Sequence, residues 1–484
     1  MIKFLKSLCF FIFTSVAIAQ NVAPILQATG NQIYCPQTSL PIVTNMSIID
    51  PDDVGIAAMY IQISSGYIFG QDLLTLTGIH PAIIPSWNAT EGKLTLSGIS
   101  GEPSYLQFKA AIESVVFTNS AVNPSGQRIF SITIGQANYL PSTNHYYQFV
   151  PDIGITWSNA KIAAENSTYY GLQGYLVTIS SADEAQLSGE QSSGAGWIGG
   201  SDEQLEGIWR WMTGPEIGNI FWDSIVGFTP SFEKWNIGEP NNNGDEDYAH
   251  ITALDVGIPG SWNDLPDFGP ISGVYQPKGY IVEYGGMPGD PLLNISESST
   301  ITIPTINPVG DYEICDSGSV TLNATGESVF WYETQVGGTP IASGNSFTTP
   351  ILNSNKTYYL DAFSIGCTTF NREPLTVIVN ERPILTINNA ISICEGDSAI
   401  INANSSIGTV KWYDSLTSSS PIFTGNPFTT TFLNSSTIYY VESDNNNCFS
   451  IPRTLINVSV NPNTPSLSDV ELTICEGDNT MLTA

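Results

Sequence analysis

Between Glu239 and Tyr248 the chain reads EPNNNGDEDY, which places Glu239, Asp245, Glu246 and Asp247 among three adjacent asparagines and a proline. Elsewhere charge is sparse, with Asp, Glu, Lys and Arg forming 12% of the sequence. Glu239 and Asn241 flank Pro240, Glu246 follows, and SWND at 261–264 adds Asn263 and Asp264. Together these are three carboxylates and two amides, an oxygen-only set. Calcium takes six to eight oxygens, whereas structural zinc favours sulfur and nitrogen, so the set points to calcium. A cis Glu239–Pro240 bond would let both flanking side chains face one side; such bonds form about 5–6% of X-Pro bonds in folded proteins. The same groups suit a sugar. Vicinal hydroxyls can give lone pairs to a cation while Glu239 and Glu246 accept their hydrogens and Asn241 and Asn263 donate N–H. Nothing in the set is a nucleophile or base aimed at a glycosidic bond. G-x-S-x-G, P-loop, H-E-x-x-H and C-x-x-C motifs are absent from the sequence, so binding rather than catalysis is expected.

These residues lie in a segment, 141–286, whose composition differs from its surroundings. It holds Trp157, Trp197, Trp209, Trp211, Trp222, Trp235 and Trp262, seven of the chain's ten tryptophans. TWSNAKIAAEN puts Trp157, Ala160, Ile162 and Ala164 at roughly helical spacing. SADEAQLSGE opens on a serine suited to an N-cap, with acids in the first turn, which predicts a second short helix. GWIGGS, WRWMT, DYAHITAL and GYIVEYG read as strands, giving an α+β pattern. Trp209, Trp211 and Trp262 are expected in the core, and Trp235 stands next to the acidic loop. His250, in DYAHIT, is a candidate partner behind the ligands or an ordinary packed histidine.

The succession WIGGSDEQLEG, WRWMTG, EPNNNGDEDY, SWND and GYIVEY resembles the C-type lectin domain. The resemblance implies that Glu239, Asn241, Glu246, Asn263 and Asp264 hold a principal calcium ion and the sugar together. Its Glu-Pro-Asn motif implies mannose, fucose or N-acetylglucosamine-type ligands. It also implies an auxiliary calcium site at Asp202, Glu206, Asn242, Glu246 and Asp247, with Asn242 standing where aspartate is common. Animal members staple this fold with disulfides, yet 141–286 contains no cysteine.

The C-terminal third repeats itself. YEICDSGSVTLNATG, ISICEGDSAIINANS and LTICEGDNTMLTA correspond, as do VFWYE with VKWYD and SNKTYYLDA with SSTIYYVES. A tryptophan between two cysteines, short β-branched runs and intervening turns predict small β-sandwiches. Cys315 and Cys367 are 52 residues apart and Cys394 and Cys448 are 54 apart, so each pair is expected to close one module, leaving Cys35 free. The copies resemble immunoglobulin-like repeats of Bacteroidetes-type surface proteins. Upstream, KLTLSGIS and FSITIGQ alternate as half-buried strands do. With IIDPDD and WNATEGKLTLSG they resemble cadherin-like repeats, in which Asp50, Asp52 and Asp53 offer either a calcium site or an acidic turn.

The expected fold class is therefore multidomain. An all-β N-terminal domain (20–140) precedes an α+β C-type lectin domain (141–286). All-β Ig-like sandwich repeats follow at 305–381 and 384–461, with a truncated third copy starting at 465–484. Lys3 and Lys6, the apolar run to Ile18 and the AIA of 17–19 read as a signal peptide over 1–19. A net charge of -31 argues against nucleic acid and anionic lipid. The expected protein is a secreted or surface-held calcium-dependent adhesin whose partners are glycans, without membrane insertion. The alternatives are a structural, protein-binding or ice-binding surface protein, and the targeting region of a carbohydrate-active enzyme.

Overall fold

The computed structural model describes residues 22–122, 124–192, 194–227, 232–326, 328–362, 372–387 and 390–462. The predicted signal peptide, Cys367, Cys475 and the start of the third copy lie outside these. The chain is mostly β and divides into two compact units between Thr305 and Ile306.

In the first unit, strands Asn31–Ile33, Ser296–Ile303, Gly126–Thr133, Ala58–Ser65, Lys93–Gly98 and Ile83–Asn88 form one sheet in that order. Strands Leu40–Pro41, Val115–Asn119 and Asp72–Leu76 form a second. Met59, Ile61, Leu94, Leu96 and Ile132 from the first share a core with Leu74 and Phe117 from the second. The strand Ser296–Ile303 pairs antiparallel with Gly126–Thr133 along its whole length. It comes after the tryptophan-rich segment, which is thus inserted between two neighbouring strands of the N-terminal sheet. This part of the chain is not all-β as the sequence led us to expect. Ser104 and Gln107 form a capping box that starts a helix, Tyr105–Ile112, whose Phe108, Ala111 and Ile112 recur at helical spacing and are buried.

The inserted segment builds its own sheet, with path Asn138–Leu140, His145–Pro151, Gly279–Tyr284, Gly196–Ser201, Ile208–Trp211, Ile220–Asp223. Leu172–Leu176 joins Gly279–Tyr284, and Tyr248–Ile251 bridges Gly196–Ser201 to Trp262–Leu265. Both expected helices form. Thr156 caps Trp157–Glu165, and Ser181 caps a short helix at Ala182–Ala185 that continues as a π-turn over Gln186–Glu190. Ile162 is exposed rather than buried with Trp157, because five residues carry it about 140° round the helix.

Two sandwiches make up the second unit. In the first, Tyr312–Cys315 pairs parallel with Glu373–Asn380, and Lys356–Asp361 runs antiparallel to the latter. Ala390–Cys394, Thr454–Asn461 and Thr437–Asn445 repeat that arrangement. Trp331 and Trp412 are fully buried and donate to Gly344 O and Gly425 O at 2.8 and 2.9 Å. Each sandwich also carries a clasp that the repeat pattern did not announce. The guanidinium groups of Arg372 and Arg453 lie over the Tyr332 and Tyr413 rings at 3.2 and 3.6 Å. They pair with Asp361 and Glu442.

The expected disulfides are overturned. Cys448 is bonded to Cys315, Cys394 is free and exposed, and Cys35 is a half-cystine rather than a thiol. Strand register explains why one sandwich cannot close on itself. Cys394 stands opposite Asn461, beyond the residue Val458 that faces Thr437, whereas Cys448 stands opposite Asn445. The nine residues of Thr437–Asn445 lie between them. At about 3.3 Å per residue that is roughly 30 Å, against the Cα separation of under about 7 Å a disulfide needs. Across consecutive sandwiches the ends meet, and the Cα atoms of Cys315 and Cys448 are 5.5 Å apart.

Candidate metal and ligand site

The loop 236–247 runs from Trp235, which forms an isolated bridge to Trp262, to the strand Tyr248–Ile251. Trp209, Trp211, Trp235, Trp262 and Phe221 pack together and are all buried, so Trp235 joins the core and offers no platform to a ligand. Gly199 and Gly200 of the WIGG run sit tightly under this core. A Cβ on Gly199 would come within 2.2 Å of Thr213 Oγ1, and one on Gly200 within 2.9 Å of Phe221.

Asp264, on the strand Trp262–Leu265, organises the loop. It is 1% exposed, and its Oδ1 and Oδ2 accept the backbone N–H groups of Asn241 and Asn242 at 3.1 and 2.7 Å. The Glu239–Pro240 bond is cis, and Asn241 Nδ2 donates to Glu239 Oε2. Asn242 takes a left-handed φ of 47° and its Oδ1 accepts Glu246 N at 2.9 Å, while Glu246 Oε2 accepts Asn243 N at 3.0 Å. Burial, followed by the carboxylates of Asp264 and Glu246, pushes Glu239 up to about 7. Burial, with Asp264 adding, also raises Glu246. Glu239, Asn241, Glu246 and Asp264 are thus brought together as a set of crowded acceptors.

Asn263 is used differently. It is buried, its Nδ2 donates to Asp264 O at 3.0 Å, and its Oδ1 lies 3.3 Å from His250 Nδ1. An amide oxygen only accepts, so His250 carries its hydrogen on Nδ1. Complete burial lowers the His250 pKa to about 4, which keeps the ring neutral. His250 therefore stands behind Asn263.

A second acidic group joins the loop to the residues after the WIGGS strand. Asp202 is 2% exposed; Oδ2 accepts Gly207 N at 2.8 Å, while Oδ1 is buried with no hydrogen-bond partner. Burial pushes Asp202 up to about 7, with Glu206 and Asp247 adding to the rise against the Gly207 N–H. Among the described residues, carboxylate oxygens of Glu206, Asp245 and Asp247 come within 4.8 Å of one another. Asp245, absent from the predicted auxiliary set, joins this group; its φ is left-handed, 78°, just after Gly244. An orphaned buried carboxylate oxygen on which the Glu206 and Asp247 charges act fits a hard divalent cation. Asp50, Asp52 and Asp53 also lie within 4.8 Å, but there Asp50 accepts Asp52 N, Asp53 N and Tyr105 OH as an acidic turn does.

These raised values fix the sign of a pH effect. Asp202 and Glu239 titrate near 7 when folded, against 3.8 and 4.5 as ordinary values. Their protonated forms favour the metal-free fold below about pH 4, and that contribution is lost as pH rises through 7. A cation competes with the same protons. Calcium affinity should therefore fall between pH 7.5 and 5.5, by about 20-fold for a site governed by one group titrating near 7. Titration calorimetry at the two pH values checks this, and equal affinities would refute it.

Comparison with known proteins finds similarity over parts of the chain. Residues 302–380 and 381–462 each match the family model described as Ig-like domain CHU_C associated. The chain is 32% identical over 293 residues to halomucin of Haloquadratum walsbyi, covering 58% of this chain and 3% of that protein. Over 120 residues it is 34% identical to C-type lectin domain family 4 member M of Gorilla gorilla gorilla, 24% of this chain and 26% of the relative. Among solved structures it is similar to the mouse scavenger receptor C-type lectin carbohydrate-recognition domain, with a TM-score of 0.20 and 22% identity over 30% of this chain and 94% of that one. The chain thus spans a small fraction of the curated relatives it matches. Its similarity to C-type lectins is partial, and its similarity to Ig-like repeats covers the second unit.

Proposed function

We propose that this chain is an extracellular or cell-surface protein that binds glycans through calcium. One observation carries the reading: the buried Asp264 carboxylate gathers the backbone of Asn241 and Asn242 under Glu239, so the acceptor-rich loop is held open to solvent by a rigid strand. Glu239, Asn241, Glu246 and Asp264 would hold the principal ion, with Asn263 joining if its amide turns from His250. Asp202, Glu206, Asp245 and Asp247 would hold a second. Calcium held there would offset the charge of these carboxylates and supply Lewis-acid attraction for sugar hydroxyls. Glu239 and Glu246 accept hydroxyl hydrogens, and the Asn241 amide donates to hydroxyl oxygens. Asp202 and Asp264, fixed by Gly207 and by the loop backbone, orient the exposed acids.

The Glu-Pro-Asn sequence favours mannose, fucose and N-acetylglucosamine-type sugars. The lectin name of one relative and the mucin name of another support the class of function. In this reading the N-terminal sandwich is a cadherin-like module, the Ig-like repeats are spacers of the kind in Bacteroidetes surface proteins, and the chain acts by binding, not catalysis. No helix among the described residues is long and apolar enough to cross a membrane. Calorimetry with mannose, fucose and N-acetylglucosamine should show binding in calcium and none in chelator. Glu239→Gln with Asn241→Asp should move preference toward galactose. Absence of binding to all these sugars in calcium would overturn the reading.

A further inference from the structure

The bond between Cys315 and Cys448 is the visible member of a pattern. Cys315 lies opposite Asn380, the last residue before the connection to the second sandwich. The 5.5 Å span between the two Cα atoms places it against the Asn445–Cys448 hairpin at the leading end of that sandwich. The connection is fastened around it. Arg382 Nη1 donates to Phe449 O at 3.0 Å, Asn445 Nδ2 to Glu381 O at 2.9 Å, and Arg382 N to Asp316 Oδ1 at 2.8 Å.

Cys394 repeats the position of Cys315 in the second sandwich. It ends the parallel strand at the register opposite Asn461, as Cys315 ends its strand opposite Asn380. The residue after each is tied back in the same way: Asp316 N donates to Asn380 O and Glu395 N to Asn461 O, both at 2.9 Å. Cys394 is exposed and free, and Cys448, about 30 Å along the sandwich, is already bonded backward. The sequence LTICEGDNTMLTA shows that the repeat pattern resumes after the second sandwich.

We infer that the disulfides of this protein are staggered: the early cysteine of each Ig-like repeat bonds the late cysteine of the next, and Cys394 is the attachment site for a repeat that follows. Formation of the bond removes two protons and two electrons from the two thiols. These pass to the disulfide of a thiol–disulfide oxidoreductase in the export compartment, which becomes a dithiol. Successive repeats are thereby joined end to end by a short covalent link beside each connection, which restricts bending of the row.

The test is disulfide mapping of the protein isolated from its source, alkylated without reduction and then digested. The expected result is a Cys315–Cys448 peptide pair and a Cys394 peptide joined to a cysteine C-terminal to Cys475, which is itself the early cysteine of its copy. Alkylated Cys394, a Cys394–Cys448 pair or a Cys394–Cys394 pair would each overturn the inference. Cys315→Ser supplies the second arm. Staggering predicts that it releases the Cys448 thiol and leaves the Cys394 linkage unchanged; a newly free Cys367 with Cys448 still bonded would overturn it.

Discussion

Asp264→Ala should weaken calcium binding by more than 100-fold at pH 7.5 and remove calcium-dependent sugar binding with it. The reason is that Asp264 has two tasks. It supplies a carboxylate to the principal group, and its two oxygens hold the backbone of Asn241 and Asn242 at 3.1 and 2.7 Å. Loss of a residue that merely orients a ligand costs about 10–100-fold in metal affinity, so loss of a ligand that also orients the loop should exceed that range. A 100-fold loss corresponds to about 2.7 kcal/mol. The fold should survive, because the core beneath rests on Trp209, Trp211, Trp235 and Trp262 and not on the loop. Calcium titration by calorimetry, with near-ultraviolet circular dichroism reporting the tryptophan packing, separates the two effects. Calcium affinity within tenfold of the parent chain would show that the loop is held and charged by other residues.

Cys315→Ser should be the most destabilising change in the second unit. The bond closes a loop of 133 residues in sequence separation. By the chain-entropy estimate such a loop contributes about 4–5 kcal/mol, since a 100-residue loop is worth about 4.7. With a urea m-value of about 2 kcal/mol/M, the midpoint should fall by roughly 2 M. Cys394→Ser, at an exposed free thiol of the same 484-residue chain, should lie within about ±0.5 kcal/mol of the parent. Equal effects of the two substitutions in equilibrium urea unfolding would contradict the pairing.

Much of the local structure could be read from residue patterns. Ser181 before two acids caps a helix, and Thr156 before the Trp157 helix does the same. Alternating runs such as KLTLSG became strands because a half-buried sheet repeats every two residues. The helix Tyr105–Ile112 carries an S-x-x-Q box, yet its apolar residues run almost directly into the strand Val115–Asn119, so composition alone does not separate the two. The oxygen-rich loop was legible for a different reason. Carboxylates and amides are rare in this weakly charged chain, so their concentration stands out without any fold.

Sequence by itself determined which residues could serve as ligands, where periodicity changes and that two C-terminal segments are copies. Those properties are local, carried by side-chain chemistry and by spacing of a few residues. Tertiary structure decided the rest. Ser296–Ile303 returns to the N-terminal sheet from beyond the inserted segment, a pairing between residues far apart that no short window contains. Asp245 enters the second acidic group from a left-handed backbone position in the loop. Asn263 is held by a buried neutral His250 across a strand pair. The cysteines pair between repeats because a strand separates the two within a repeat, and similar counts along the chain conceal opposite ends in space. Each of these outcomes depends on distances through space, which chain spacing does not encode until the strands have found their partners.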